Sequence, residues 1–276
     1  MDMVPFIALA PLVFLFGAII GSFASVLVCR MHTGTSLNKR SHCLSCGRTL
    51  TWYELVPVLS FLTLRGRCRT CTACIPRRDF LFEVLSGAMY VGIVWIAPDM
   101  IAVVLFAFLG TTLLITATYD WYHLIVPEET IVAALFGAFS FLVYRVIVLG
   151  DPLWVIPTAI AAGIAAWLAY AALWYVSKGR WIGFGDAKLA FPLGMAVGLA
   201  GIFSMVVLSF WIGAVITVVA MGVQSLIRGG QRALLFRGTP LRMKSEVPFA
   251  PFLILAFVMV FAFGIDVLSL ITYVFP

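Results

Sequence analysis

Long hydrophobic runs, separated by short polar turns and by one long polar stretch, dominate this chain of 276 residues. The chain is 63% hydrophobic and only 11% charged, whereas a soluble domain carries about 25% charged residues. A surface that faces water would need far more polar cover, so lipid must supply much of the environment. The pattern predicts an all-α polytopic membrane protein with about eight transmembrane helices.

The hydrophobic runs define the predicted spans. They cover residues 4–28, 80–97, 101–119, 130–149, 153–176, 187–201, 203–227 and 249–273. The span 187–201 is short, which favours a tilted helix or one partly buried among the others. The sequence therefore predicts three parts. They are a first transmembrane helix (1–28), a polar module (29–79) and a membrane-embedded domain (80–276).

The basic residues predict the orientation in the membrane. Half of the 18 Lys and Arg residues lie within 30–78, and five more lie within 228–244. Because cytosolic loops carry such an excess, we expect the N-terminus outside and these two segments inside, together with 120–129 and 178–186. The basic residues behind the net charge of +6 thus lie mainly in the predicted cytosolic loops. This distribution is typical of a membrane protein, so nucleic-acid binding is not expected.

Asp120 and Asp186 differ from the other acidic residues because each lies where a predicted span meets the cytosolic side. Asp120 ends one span and Asp186 begins another, so neighbouring helices would hold both carboxylates at one depth. Such a pair shares a proton and can hydrolyse a peptide. One carboxylate activates water while the protonated one polarises the carbonyl. The pair predicts an aspartic peptidase, although either residue alone could be a helix cap or a solvated side chain.

The residues around Asp186 are predicted to support this site. Gly183 and Gly185 precede it and would let the backbone approach a substrate or a partner helix closely. Lys188 follows it, as a charge partner of the site or as a basic anchor at the membrane surface. The rival hypothesis is a transporter or an assembly scaffold whose aspartates relay protons or cations, but relay acids usually lie deeper in the membrane.

The polar module contains two Cys-x-x-Cys pairs, Cys43 with Cys46 and Cys68 with Cys71. Disulfides are rare in the cytosol, so paired cysteines there favour a metal site. Four thiolates would hold a structural Zn²⁺ with no open position, whereas an iron–sulfur cluster lacks its usual spacings. Cys74 leaves an alternative to Cys71, but the likeness of Cys68-Arg-Thr-Cys71 to the first pair favours Cys71.

Several blocks occur in the same order as in the bacterial type IV prepilin peptidases, and the chain resembles that family over nearly its whole length. Beyond the aspartate and cysteine motifs, the blocks are Gly21-Ser22-Phe23, Trp52-Tyr53-Glu54-Leu55-Val56-Pro57, Leu64-Arg65-Gly66-Arg67, Glu83, Pro127-Glu128 and Pro248-Phe249-Ala250-Pro251-Phe252. The family usually has Asp at position 128 and Gly at position 250. The Tyr119-Asp120 and Gly-x-Gly-Asp patterns also resemble presenilin-type proteases.

The resemblance implies that Asp120 and Asp186 are the catalytic pair and that the four paired cysteines bind zinc. It implies cleavage of a basic leader from prepilins or pseudopilins, at the cytosolic face of the bacterial inner membrane. It also implies methylation of the new N-terminus with S-adenosylmethionine, and no residue is assigned to that second activity.

Overall fold

The computed structural model describes residues 3–32, 40–226 and 247–269, which are nearly all helical. Within these ranges the α-helices are α1 Met3–Arg30, α2 Leu59–Thr63, α3 Arg77–Ile96, α4 Met100–His123, α5 Glu128–Ile147, α6 Val155–Ser177, α7 Phe184–Val197, α8 Leu199–Leu226 and α9 Ala250–Phe263. A 3₁₀ turn, Trp52–Leu55, precedes α2. The predicted all-α class is confirmed.

Six of the described helices are long and apolar enough to cross a membrane, namely α1, α3, α4, α5, α6 and α8. The chain is therefore a multi-pass membrane protein, and the predicted count of eight spans is approximate. The two remaining apolar segments form shorter helices, α7 and α9. The predicted span 249–273 is not one continuous helix, because α9 ends at Phe263 and the next residue, Gly264, has a left-handed conformation (φ 63°).

The chain divides into two compact units, residues 1–115 and 116–276. In the first unit, α1 packs along α3 through small residues. A Cβ atom on Gly17 would lie 2.7 Å from the Cβ of Tyr90, and one on Gly21 would lie 2.6 Å from the Cβ of Ser86. The Ser86 hydroxyl donates to the Gly17 carbonyl over 2.7 Å. The Gly-x-x-x-Gly spacing thus lets the two backbones approach closely.

In the second unit, the short helix α7 lies at the centre and packs against α5, α6, α8 and α9. Its contact with α6 also depends on small residues, because a Cβ on Gly194 would lie 2.6 Å from the Cβ of Ala166. Most residues of α7 are buried, as expected for the short span. Burial among other helices explains why α7 needs neither the length nor the polarity pattern of a lipid-facing span.

Candidate active site and metal centre

The structure brings Asp120 and Asp186 together within the second unit. Asp120 lies in the last turn of α4 and Asp186 in the first turn of α7. Both are buried, with 4% and 5% of their surface exposed. The negative charge of Asp120 contributes to the electrostatic environment of Asp186, so the two carboxylates lie within range of a charge–charge interaction. The sequence predicts this proximity only if the two helices are neighbours.

A backbone group that the sequence does not reveal fixes Asp120. The N–H of Ala250, the first residue of α9, donates to Oδ2 of Asp120 over 3.1 Å. The preceding Phe249 packs its ring against those of Tyr170 and Phe210, with centroid distances of 6.0 and 5.1 Å. This aromatic cluster holds the start of α9, and with it the donor, beside the carboxylate.

The glycines before Asp186 have separate local roles. The Gly183 N–H donates to Oδ2 of Asp186 over 3.2 Å, whereas Oδ1 is buried and has no hydrogen-bond partner among the described residues. A Cβ on Gly185 would lie 3.0 Å from the Cβ of Val126, in the loop that follows the Asp120 helix. Gly185 therefore permits the close approach of that loop to the start of α7.

Lys188 forms an ion pair with Glu128, and its ammonium also lies over the ring of Phe184 at 5.5 Å. Glu128 begins α5, so this pair joins the start of α5 to the second turn of α7. The contact places Lys188 beside the site and gives it a carboxylate partner outside the aspartate pair. A supporting role for Lys188 in the reaction stays a prediction.

The four paired cysteines of the polar module converge in the structure. The sulfur atoms of Cys43, Cys46, Cys68 and Cys71 all lie within 4.8 Å of one another, and the Sγ atoms of Cys43 and Cys71 are 3.7 Å apart. Sulfur atoms at such spacing on two short loops suit a tetrahedral metal site. The cluster could therefore hold a metal ion.

The two Cys-x-x-Cys loops have the same backbone geometry. Cys43 donates its N–H to the Arg48 carbonyl over 2.9 Å, and Cys68 likewise to the Ala73 carbonyl over 2.8 Å. The position four residues after each first cysteine has a positive φ, 70° at Gly47 and 55° at Thr72. The matching backbone of the two loops is consistent with the similar sequences of the two Cys-x-x-Cys pairs.

Cys74 lies outside this cluster. In the second loop it forms a bridge with Arg67, as Thr49 does with His42 in the first loop. Its exposed thiol therefore lies on the segment that follows the Cys68–Cys71 loop, and not in that loop. The structure places Cys71, and not Cys74, with the other three sulfur atoms.

Backbone donors in the two loops favour thiolates. The N–H groups of Cys71 and Thr70 lower the pKa of Cys68 to about 6, and those of Cys46 and Ser45 lower the pKa of Cys43. At Cys71 the Ala73 N–H acts in the same direction, yet burial and the neighbouring thiols raise its pKa to about 11. Four thiolates this close need a cation among them, which fits a metal-binding role.

Glu54 braces the first cysteine loop, a role that the motif alone does not predict. It accepts hydrogen bonds from the backbone N–H and the hydroxyl of Thr51, over 2.9 and 2.8 Å, and pairs with Arg48 at 2.6 Å. The Thr51 N–H and the Arg48 guanidinium lower the pKa of Glu54 to about 2. Arg48 also reaches Cys68, so this network links the two loops.

A bundle of apolar helices, a buried aspartate pair at helix ends and a four-cysteine module together define a multi-pass membrane protein with the parts of an aspartic peptidase. Residues 15–97 match the family described as "Bacterial Peptidase A24 N-terminal domain". Residues 104–218 match the "Type IV leader peptidase family".

Curated relatives agree with these family matches. A prepilin leader peptidase/N-methyltransferase of Aeromonas hydrophila is 30% identical over 231 residues, which cover 74% of this chain and 78% of the relative. Its namesake in Bacillus subtilis (strain 168) is 26% identical over 262 residues, covering 94% and 96%. No solved structure matches the chain. The chain belongs to the type IV leader peptidase family, which confirms the resemblance found in the sequence.

Proposed function

We propose that this protein is a membrane aspartic endopeptidase that removes the basic leader from prepilins or pseudopilins and then methylates the new N-terminus. The observation that carries the peptidase function is the buried, electrostatically interacting pair of Asp120 and Asp186. Two buried carboxylates that interact electrostatically share one proton, because two negative charges there would be too costly. Relatives named prepilin leader peptidase/N-methyltransferase support the substrate and the second activity.

In the proposed reaction, the ionised carboxylate takes a proton from water while the protonated one donates to the scissile carbonyl. The carboxylate that took the proton from water then passes it to the leaving amine. One oxygen of each aspartate is engaged by a backbone N–H, from Ala250 and from Gly183. Oδ1 of Asp186 is buried without a partner among the described residues, so it is the oxygen best placed to meet water or substrate.

Zn²⁺ is the metal that we propose for the four-cysteine cluster. Cys43, Cys46, Cys68 and Cys71 would supply all four ligands of a tetrahedral ion. Because no position is left for water or substrate, the ion would stabilise the module and take no part in the reaction. S-adenosylmethionine is the methyl donor that we propose for the second activity.

The proposed setting is the bacterial inner membrane, with the aspartate pair facing the cytosol and the N-terminus outside. The excess of basic residues in alternate loops supports this orientation. We propose that residues 1–28 form a first transmembrane helix, residues 29–79 a zinc module and residues 80–276 a peptidase domain. Prepilins and the lipid bilayer are the proposed partners, and nucleic acid is not one.

Replacement of either aspartate by asparagine tests the peptidase function. Asp120→Asn and Asp186→Asn preserve the shape and the backbone hydrogen bonds but remove a proton carrier. We expect each to lower the rate of leader cleavage at least about 1,000-fold. The measurement is mass spectrometry of a prepilin peptide incubated with the purified protein in liposomes.

Asp99→Asn is the matched control for these variants. Asp99 accepts the Ala102 N–H over 2.8 Å near the start of α4, and asparagine serves equally well at such a position. This control should cleave at the wild-type rate. Near wild-type cleavage by either active-site variant, in protein that inserts and unfolds like the parent, would refute the proposed catalytic pair.

A further inference from the structure

The first unit contains a cavity of about 680 Å³ where the end of α1, the beginning of α3 and the cysteine module meet. Cavities of roughly 300–1,000 Å³ are the usual size for small-molecule and cofactor sites. Its lining combines carboxylates, arginines and aromatic rings. Cys43 and Cys68 of the proposed zinc site line part of this cavity, whereas Asp120 and Asp186 do not. The rest of the lining belongs to neither site.

Glu83 of α3 lines this cavity with a carboxylate that is held in place. Its Oε2 accepts the backbone N–H of Val58 over 2.7 Å, and it also interacts with the Ser22 hydroxyl of α1. Val58 has a φ of 62°, a strained conformation for a β-branched residue. Backbone strain of this kind is concentrated at functional sites, and here it belongs to the residue whose N–H meets the carboxylate.

The remaining walls offer two further chemistries. Phe61 and Phe80 stack with their ring centroids 4.6 Å apart, and both line the cavity. Phe61 packs over Gly66, where a Cβ would lie 3.0 Å from the ring. Arg30 at the end of α1 and Arg78 at the start of α3 line the cavity, and supply positive charge near its acidic side.

We propose that this cavity binds S-adenosylmethionine together with the freed N-terminal amine of the cleaved substrate, and that Glu83 accepts the proton of that amine. The inference rests on the methyl transfer in the proposed function. The carboxylate of the donor fits the arginines, its adenine fits the paired phenyl rings, and the amine fits the carboxylate. These are the three kinds of group that the lining provides.

The proposed step conserves atoms and electrons. The amine nitrogen forms a bond to the methyl carbon, and the carbon–sulfur bond breaks with its electron pair left on sulfur. The proton that the nitrogen loses passes to Glu83 and from there to water. Glu83 therefore acts as a general base in contact with the substrate.

Photo-crosslinking of labelled S-adenosylmethionine to the wild-type protein in liposomes tests the location without any substitution. Peptide mapping should place the label on residues 22–30, 41–61 or 64–83, which contain the cavity lining. Label confined to residues 116–276 would overturn the proposal. The binding readout also separates the two hypotheses, because it does not depend on cleavage by the aspartate pair.

Glu83→Gln tests the chemistry. The amide still accepts the Val58 N–H but takes no proton, so methylation should fall about 100-fold or more. Leader cleavage should stay within about twofold of wild type, and the affinity for S-adenosylmethionine within about threefold, since neither depends on proton transfer to this residue. Methylation within about threefold of wild type would overturn the assigned role.

Ser25→Trp tests occupancy, because Ser25 lines the cavity and an indole there would fill it. Titration calorimetry with S-adenosylmethionine should show at least a tenfold loss of affinity. Phe23→Trp is the matched control, since Phe23 lies two residues away on the same helix and is exposed. Unchanged affinity in Ser25→Trp would overturn the proposed site. If the wild-type protein neither cleaves nor methylates, the proposed function fails instead.

Discussion

Ala250 donates its backbone N–H to Oδ2 of Asp120 over 3.1 Å and so joins the start of α9 to the end of α4. The two residues are 130 positions apart in the sequence. Because the donor belongs to the backbone, alanine can stand where the family usually has glycine without loss of the hydrogen bond. The aromatic contacts of Phe249 explain why the start of α9 keeps its position.

Removal of this donor should impair cleavage while leaving the side-chain pair intact. Ala250→Pro lacks the N–H, and leader cleavage should fall about 10- to 100-fold because Asp120 loses its fixed position. Ala250→Gly keeps the N–H and should remain within about threefold of wild type. The rates would be measured by mass spectrometry on protein with wild-type unfolding behaviour. Equal loss in both variants would contradict the role of the N–H and point to packing at this buried position.

The sequence reveals the aspartate pair and the four cysteines because their chemistry resides in side chains. The aspartates lie at the ends of predicted spans, and the cysteines have the spacing of metal ligands. It does not reveal Ala250, since a backbone N–H has no residue type. It also predicts one helix over 249–273, because hydropathy is continuous there and the turn at Gly264 interrupts it only through backbone geometry. Asp266 lies beyond that turn and accepts a hydrogen bond from Ser204 over 2.7 Å, a contact that no local pattern predicts.

Gly185 should tolerate even a methyl group poorly. A Cβ there would lie 3.0 Å from the Cβ of Val126, so Gly185→Ala should displace Asp186 relative to Asp120. We expect cleavage to fall about 10- to 100-fold, because small displacements of catalytic groups have such effects. Gly92→Ala is the control, since a Cβ on Gly92 meets nothing within 4 Å, and it should cleave normally.

The exchange of residues at the same contact strengthens this test. Val126→Gly combined with Gly185→Ala removes the colliding Cβ and should recover part of the lost activity. The coupling between the two changes would be read from the four rates of a double-mutant cycle. Strict additivity of the two defects would show that the contact between Gly185 and Val126 does not set the geometry of the site.

The geometry of the Cys68–Cys71 loop predicts different outcomes for two neighbouring cysteines. Cys71→Ser should abolish stoichiometric metal binding, because Cys71 is one of the four clustered sulfur atoms. Cys74→Ser should retain about one zinc ion per chain, because the Cys74 thiol is exposed on the segment after the Cys68–Cys71 loop. Elemental analysis of the purified proteins distinguishes them. Metal loss in Cys74→Ser with retention in Cys71→Ser would reverse the ligand assignment.

Glu54 should make the stability of the polar module depend on pH in the acid range. The Thr51 N–H and Arg48 hold the pKa of Glu54 at about 2, below its ordinary value of 4.5. A carboxyl group with a lowered pKa stabilises the fold above its unfolded-state pKa and loses this effect as the pH falls through the folded-state value. The contribution should thus be complete above about pH 5 and should disappear between pH 4.5 and 2.

Comparison with Glu54→Gln isolates this contribution. At neutral pH the wild-type protein should have the higher thermal unfolding midpoint, by about 2–4 °C, and the difference should shrink on acidification through that window. Protonation of the cysteine cluster affects both proteins alike, so the difference between them reports on Glu54. A difference that stays constant from pH 7 to pH 2 would mean that the Glu54 charge does not stabilise the module, and that its hydrogen bonds act independently of ionisation.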